Sequence, residues 1–148
     1  MLAQILAACR CRAGNVSLEV AFVVTVLLVL AVGAVDFGRY GLAHLTLSSA
    51  ARAGAQYGIQ SQASAGETAM IEQAARHDSG NPSLDVAVRQ FCECPGAGEV
   101  DCGITCADDD YAMMYVEVTT RDELELFFDY PGVESPMPLT ARSRMRVR

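Results

Sequence analysis

Four cysteines crowd into "CECPGAGEVDCGITC", Cys92 to Cys106, with the spacing C-x-C, seven residues, then C-x3-C. Four thiolates could hold zinc, but structural zinc sites use C-x2-4-C knuckles, and the tight C-x-C fits that geometry poorly. In a short, loop-rich segment the same residues form disulfides, which persist in oxidising compartments. Four cysteines allow three pairings. Neighbours one residue apart rarely bridge each other, so Cys92 and Cys94 each reach to Cys102 or Cys106. A redox enzyme would carry C-x-x-C near a βαβ pattern, and neither feature is present.

The other reactive side chains are scattered. Asp101 with Asp108 to Asp110 lacks the D-x-D-x-D-G spacing that wraps calcium, and reads as a solvated acidic loop. His44 and His77 stand alone, His77 at a predicted helix end where it suits the dipole. No nucleophile, base and orienting group come together, so neither an enzyme nor a cofactor is expected. All eleven basic residues are Arg, and eighteen acids bring the net charge to −7. That balance excludes a nucleic-acid binder, which needs a basic footprint on the phosphates.

The remaining chemical oddity is Glu19, inside the apolar run "CRAGNVSLEVAFVVTVLLVL" from Cys11 to Leu30. Near a bilayer centre an acid costs about 2.5 to 3.5 kcal/mol, and less near the edge. The run itself explains the setting. Val16 to Val35 is twenty residues, and at about 1.5 Å per residue it reaches roughly 30 Å, the thickness of a hydrocarbon core. A cleaved secretory signal is the competing reading, but its apolar region is normally about 7 to 15 residues. Arg10 and Arg12 on one side nearly balance Arg39 and Arg52 on the other, so charge alone does not orient the helix. The disulfides do: they put the C-terminal part outside the cytoplasm and the N-terminus inside.

A chain of 148 residues that is 51% hydrophobic can thus hold one modest core and one anchor. From Asp36 to Gly58 there is no Pro, and a stripe of mostly small residues recurs at helical spacing: Tyr40, Ala43, Leu47, Ala51, Gly54, Gly58. The membrane helix should continue as one rod. Part of this stripe should face the protein's own sheet and part a neighbouring helix. Ser61 to Gly66 reads as a linker, and Ser64 with Glu67 as a capping box opening a short second helix. Met70, Ile71, Ala74 and Ala75 give that helix its apolar face, and Gly80-Asn81-Pro82 ends it.

After Pro82 the period becomes two. Leu84, Val86 and Val88 predict a strand. Val116, Val118, Leu124, Leu126 and Phe128 share one parity, as one long strand or as two broken near Arg121-Asp122. In "PLTARSRMRVR", Leu139, Ala141, Met145 and Val147 alternate with Arg142, Arg144, Arg146 and Arg148, a clear strand. Its arginines should pair across strands with Glu117, Glu123 and Glu125, each pair contributing roughly 0.2 to 1 kcal/mol. The expected class is α+β, a long N-terminal transmembrane helix extending into a domain with a short second helix and a small, mainly antiparallel β-sheet.

"AGNVSLEV", with Gly14 followed five positions later by Glu19, resembles the processing site of type IV pilins and pseudopilins. The run Asp36, Phe37, Gly38, Arg39 and the later Ala51, Arg52, Gly54 resemble the TadE-like family of tight-adherence (Tad, Flp-type) pilus assembly proteins. Val20 stands where that family usually has an aromatic. Thr25 stands where a Pro is common, which predicts a straighter helix. The resemblance implies a minor, pilin-like subunit acting in pilus assembly and adhesion, cut by a prepilin peptidase between Gly14 and Asn15. Glu19 would then accept the new ammonium of Asn15 on a neighbouring subunit and set their register. The implied partners are other pilin-like subunits, the peptidase, an inner-membrane assembly platform and membrane lipid. The implied site is a bacterial inner membrane, crossed once. On this reading 1-14 is a leader, 15-35 the transmembrane helix, 36-58 its periplasmic extension, and 59-148 the periplasmic domain with cysteine loop 92-106. An alternative of another class is an uncleaved, membrane-tethered binding module with a disulfide or metal-binding cysteine loop.

Overall fold

Helix α1, Leu2–Gly58, runs 57 residues without interruption, because nothing in that stretch removes a backbone donor: the first proline of the chain is Pro82. In this computed structural model the described residues are 2–106, 111–128 and 130–147, with side chains described from 16 onward. The acidic run Asp108 to Asp110 and the terminal Arg148 lie outside them. The chain divides into two compact units, Met1–Arg39 and Tyr40–Arg148.

The first unit is helix alone. Its apolar stretch reaches a mean hydropathy of 2.7 over eighteen residues, with none of that window buried. Leu18, Phe22, Leu27 and Leu30 all point outward, and a helix apolar all round suits lipid rather than a protein core. Thr25 donates its hydroxyl to the Ala21 carbonyl at 2.9 Å, so even this polar group is satisfied within the helix.

In the second unit α1 from Tyr40 to Gly58 backs a four-stranded sheet. Strands β1 (Asp85–Cys94), β2 (Gly98–Val100), β3 (Met113–Leu124) and β4 (Met137–Arg146) lie in the order β2-β1-β3-β4, all antiparallel. Helix α2 (Gln62–Gly66) and helix α3 (Thr68–Ser79) complete it. Leu47, Ala50, Ala51 and Ala55 of α1 are buried with Ile71 and Ala75 of α3 and with Val116 and Val118 of β3. The closest approach is at glycine. A Cβ on Gly54 would sit 3.1 Å from the Ile71 carbonyl oxygen and 3.3 Å from Val118; one on Gly58 would sit 3.0 Å from Ile71 and 3.1 Å from Val116. Thr120, fully buried, bonds its hydroxyl to the Leu47 carbonyl at 3.0 Å and so ties strand to helix.

Three local expectations change. The segment expected as a linker contains α2, and the capping box sits three residues earlier than expected: the Ser64 amide donates to the Ser61 hydroxyl at 3.1 Å, and the Ser61 amide to that of Ser64 at 2.9 Å. Glu67 makes no side-chain cap for α3. Its carboxylate accepts the Tyr57 hydroxyl at 3.3 Å instead. Desolvation, then the charge and hydrogen bond of Glu67, push the Tyr57 phenol above its usual range. The helix after it ends as expected, with Gly80 left-handed at φ 67 and donating to the His77 carbonyl. Ile71 and Ala75 are buried, but Met70 is exposed and Ala74 only half-buried.

β3 is one strand, unbroken at Arg121-Asp122, and it stops at Leu124. Leu126 and Phe128 keep the parity but not the structure, because pairing with β4 ends at Leu124↔Met137 and, among the described residues, no strand pairs with them. Periodicity records a side chain's alternation, whereas a strand also needs a hydrogen-bonding neighbour.

The glycine seam yields a test. Gly54→Ala should destabilise the protein by about 1 to 3 kcal/mol by overpacking. Gly41→Ala, where a Cβ meets nothing within 4 Å, should stabilise it by about 0.5 to 1 kcal/mol. Urea unfolding of the detergent-solubilised chain measures both, and equal effects at the two sites would contradict the packing.

Candidate functional site

The disulfide end of the sheet is built by a tight hairpin. β1 and β2 pair Cys92↔Val100 and Cys94↔Gly98 around a turn in which Gly96 and Gly98 have φ of 78 and 80. Those left-handed angles favour glycine, and "PGAG" supplies it. Cys92 and Cys94 share the inward parity of Val86 and Val88, so both sulfurs leave the strand on the same side. Chain returning after β2 brings Cys102 to Cys92 and Cys106 to Cys94, with Cα separations of 5.0 and 5.6 Å. Cys92, Cys94 and Cys106 are buried. Among the described residues no three His, Cys, Asp or Glu side chains gather as a metal would need. Beside the Cys92–Cys102 bridge lies an open groove of about 360 Å³, lined by Met113, Met114, Tyr111 and Arg146 among others.

The outer face of the sheet carries charges in a lattice. The Arg89 guanidinium meets Glu99 at 2.6 Å and Glu117 at 3.8 Å, Arg142 meets Glu117 at 3.8 Å, and Arg144 pairs with Glu93. Beneath them the Phe91 and Tyr115 rings stack at 5.8 Å, with Arg89 4.5 Å from the Phe91 centroid and Arg144 4.3 Å from that of Tyr115. The Glu93 hydrogen bond, above all, holds Arg144 further into its charged range than usual. Of the three acids expected opposite the arginines only Glu117 is there. Glu123 stands opposite Pro138, and Glu125 follows the last residue of β3. The expected strand over Leu84 to Arg89 runs on through Cys94, and that extension is what brings Phe91 and Glu93 onto this face. Continued alternation, Arg89-Phe91-Glu93 against Val88-Gln90-Cys92, was the signal for them. Exposed pairs of this kind contribute roughly 0 to 1 kcal/mol each.

At the other end of the chain, Gly14 and Asn15 lie in helical backbone within α1, and their side chains lie outside those described. Glu19 is exposed. Four residues after Asn15, it is on the same helix face one turn along, about 6 Å of rise. Asp36 is buried and bonds Arg39 at 3.4 Å, while Phe37 points outward and a Cβ on Gly38 would meet nothing. Ala51 and Gly54 are buried in the seam with the sheet; Arg52, between them in sequence, is exposed on the opposite face of the helix. The sequence-predicted residues therefore fall into three separate groups: a processing segment, a helix–sheet seam and a disulfide pair.

Together these features describe an α+β chain whose N-terminal helix is long and apolar enough to cross a membrane and continues as the helix that backs the sheet. Residues 14–56 match the model of the family described as TadE-like protein, so this segment of the chain is TadE-like. No curated protein and no solved structure matches the chain. A TadE-like segment implies a protein associated with the Tad pilus and carrying a membrane helix, with pilin-like partners in assembly. The single apolar N-terminal helix fits a single-pass membrane protein.

The bridges close loops of ten and twelve residues. Removing one with Cys94→Ser and Cys106→Ser together should lower stability by about 3 kcal/mol. Urea titration of the double variant measures this, with an m-value near that of the parent showing that the fold is kept. An unchanged midpoint would contradict the pairing.

Proposed function

We propose that the chain is a minor, pilin-like subunit of a tight-adherence pilus. A prepilin peptidase cuts it between Gly14 and Asn15, and it acts in pilus assembly and adhesion. The observation that carries the proposal is Glu19: an exposed acid one helical turn after Gly14-Asn15, inside the TadE-like match, and the one charged residue in the apolar run from Val16 to Val35.

The chemistry follows from that placement. A peptidase needs extended backbone, and glycine in a helix interior is less stable than alanine by about 0.5 to 1 kcal/mol, so the helix opens more readily at Gly14 than it would at an alanine. Cleavage creates an ammonium at Asn15 and removes Arg10 and Arg12. In hydrocarbon an ammonium and a carboxylate each carry a penalty that pairing relieves. Glu19 of one subunit takes the Asn15 amine of the next, and the pairing fixes how far adjacent helices are offset along the pilus axis.

The N-terminus starts in the cytoplasm, and the disulfide-bonded domain lies in the periplasm of a bacterial inner membrane, where an oxidising environment keeps the two bridges closed. The assembly platform and neighbouring pilin-like subunits are the partners. The role is structural rather than enzymatic, and it uses no cofactor. One observation favours a second reading, an uncleaved membrane-tethered binding module: the groove beside the Cys92–Cys102 bridge.

Glu19→Ala and Glu19→Gln separate the two. Under the proposal both variants are cut and inserted normally but are missing from sheared pili, a loss of at least about tenfold for a broken buried pair. Parental levels of both in pili would overturn it. Tyr111→Ala in the groove should leave incorporation unchanged.

A further inference from the structure

Exposed apolar side chains in the second unit are not evenly spread. Leu42, Leu45, Phe127, Phe128 and Val133 are all exposed, Phe127 by 64% and Phe128 by 61%. The helix–sheet register shows where they sit. Gly58 lies against Val116, Gly54 against Val118, and Leu47 is bonded to Thr120, so β3 runs back along α1 toward Tyr40. Four more residues of strand, about 13 Å, bring Leu124 about level with Tyr40, which is about 10 Å before Leu47 along the helix. The β3–β4 loop therefore projects from the same end of this unit at which its helix begins. That end is covalently joined to the apolar span, since only Asp36 to Arg39 separate Val35 from Tyr40. The disulfides, Ile104 and Tyr111 belong to the opposite end, past the pairs Cys92↔Met114 and Glu93↔Met113.

We propose that the β3–β4 loop is a second membrane contact, in which Phe127 and Phe128 insert into the lipid interface. The proposal rests on the reading of Val16 to Val35 as a membrane helix. A pair of exposed aromatics in a loop suits the headgroup boundary, where ring surface leaves water without a backbone having to cross hydrocarbon. The loop's charges select the lipid. Glu125, Asp129 and Glu134 are its only ionisable residues with charge at neutral pH, and all are acids. Contact is therefore apolar, strongest on zwitterionic lipid and weakened by anionic lipid rather than recruited by it. A membrane contact on both the span and the domain fixes how the subunit stands on the bilayer before it is extracted into a polymer.

The chain has no tryptophan, so single substitutions report cleanly. The full chain is reconstituted into phosphatidylcholine vesicles carrying Phe128→Trp, Phe22→Trp or Tyr111→Trp, with acyl chains brominated near the headgroup end or not. Phe128→Trp should emit at shorter wavelength than Tyr111→Trp, lose most of its emission to bromolipid, and lose less of it when anionic lipid is mixed in. Tyr111→Trp should be quenched by aqueous iodide and not by bromolipid. A Phe128→Trp signal insensitive to bromolipid overturns the loop contact, whether iodide reaches it or a protein partner shields it. Phe22→Trp monitors the span separately: if it too escapes bromolipid, the membrane helix itself is overturned, and the loop contact with it.

Discussion

The closeness of α1 to β3 and α3 is the constraint on which the rest depends. One continuous helix has to be apolar on every face for a bilayer's thickness and then, with no break, apolar and small on one face only. The chain does this by changing residue size rather than pattern. Val and Leu fill the span, whereas Ala50, Ala51, Gly54, Ala55 and Gly58 line the inner face further on. Even a methyl group would crowd Ile71 and Val118 at Gly54, and Ile71 and Val116 at Gly58. Two of the residues that carry the TadE-like resemblance, Ala51 and Gly54, are thus explained by packing within this chain. Arg52, exposed between them, is not.

A sheet of four strands on half a helix buries little, and small cores need covalent help. That help falls at the end of the sheet where β2 is only three residues long. The two bridges hold the returning chain of 101–106 to β1 where no ladder could. On the opposite face, the guanidinium groups of Arg89 and Arg144 cover Phe91 and Tyr115, so long cationic side chains shield aromatic area that the single-layer sheet would otherwise expose.

Much of this was legible in the sequence, for identifiable reasons. The missing proline up to Pro82 gave the long helix, Gly80 the end of α3, and the Leu139-Ala141 alternation the last strand. What was not legible depended on partners distant in sequence. Ser61 and Ser64 cap each other, and Glu67, the expected partner, instead accepts from Tyr57 ten residues back. Phe128 continued a strand parity into a segment with no strand to pair with. Arg144 of the last strand found Glu93, rather than Glu123, because only the register between β1, β3 and β4 decides which acids come near. The disulfide pairing was equally open until the β1–β2 hairpin set the direction in which the chain returns.

In this account the helix is both anchor and assembly element, and its acid near the start has a role only if a new amine is made one turn away. The mass of the intact polypeptide, taken from the membranes and pili of its own cells without reduction, tests this most directly. The account predicts a chain that starts at Asn15 and weighs four hydrogens less than its fully reduced form, for the two bridges. A chain that still begins at Met1 would contradict it.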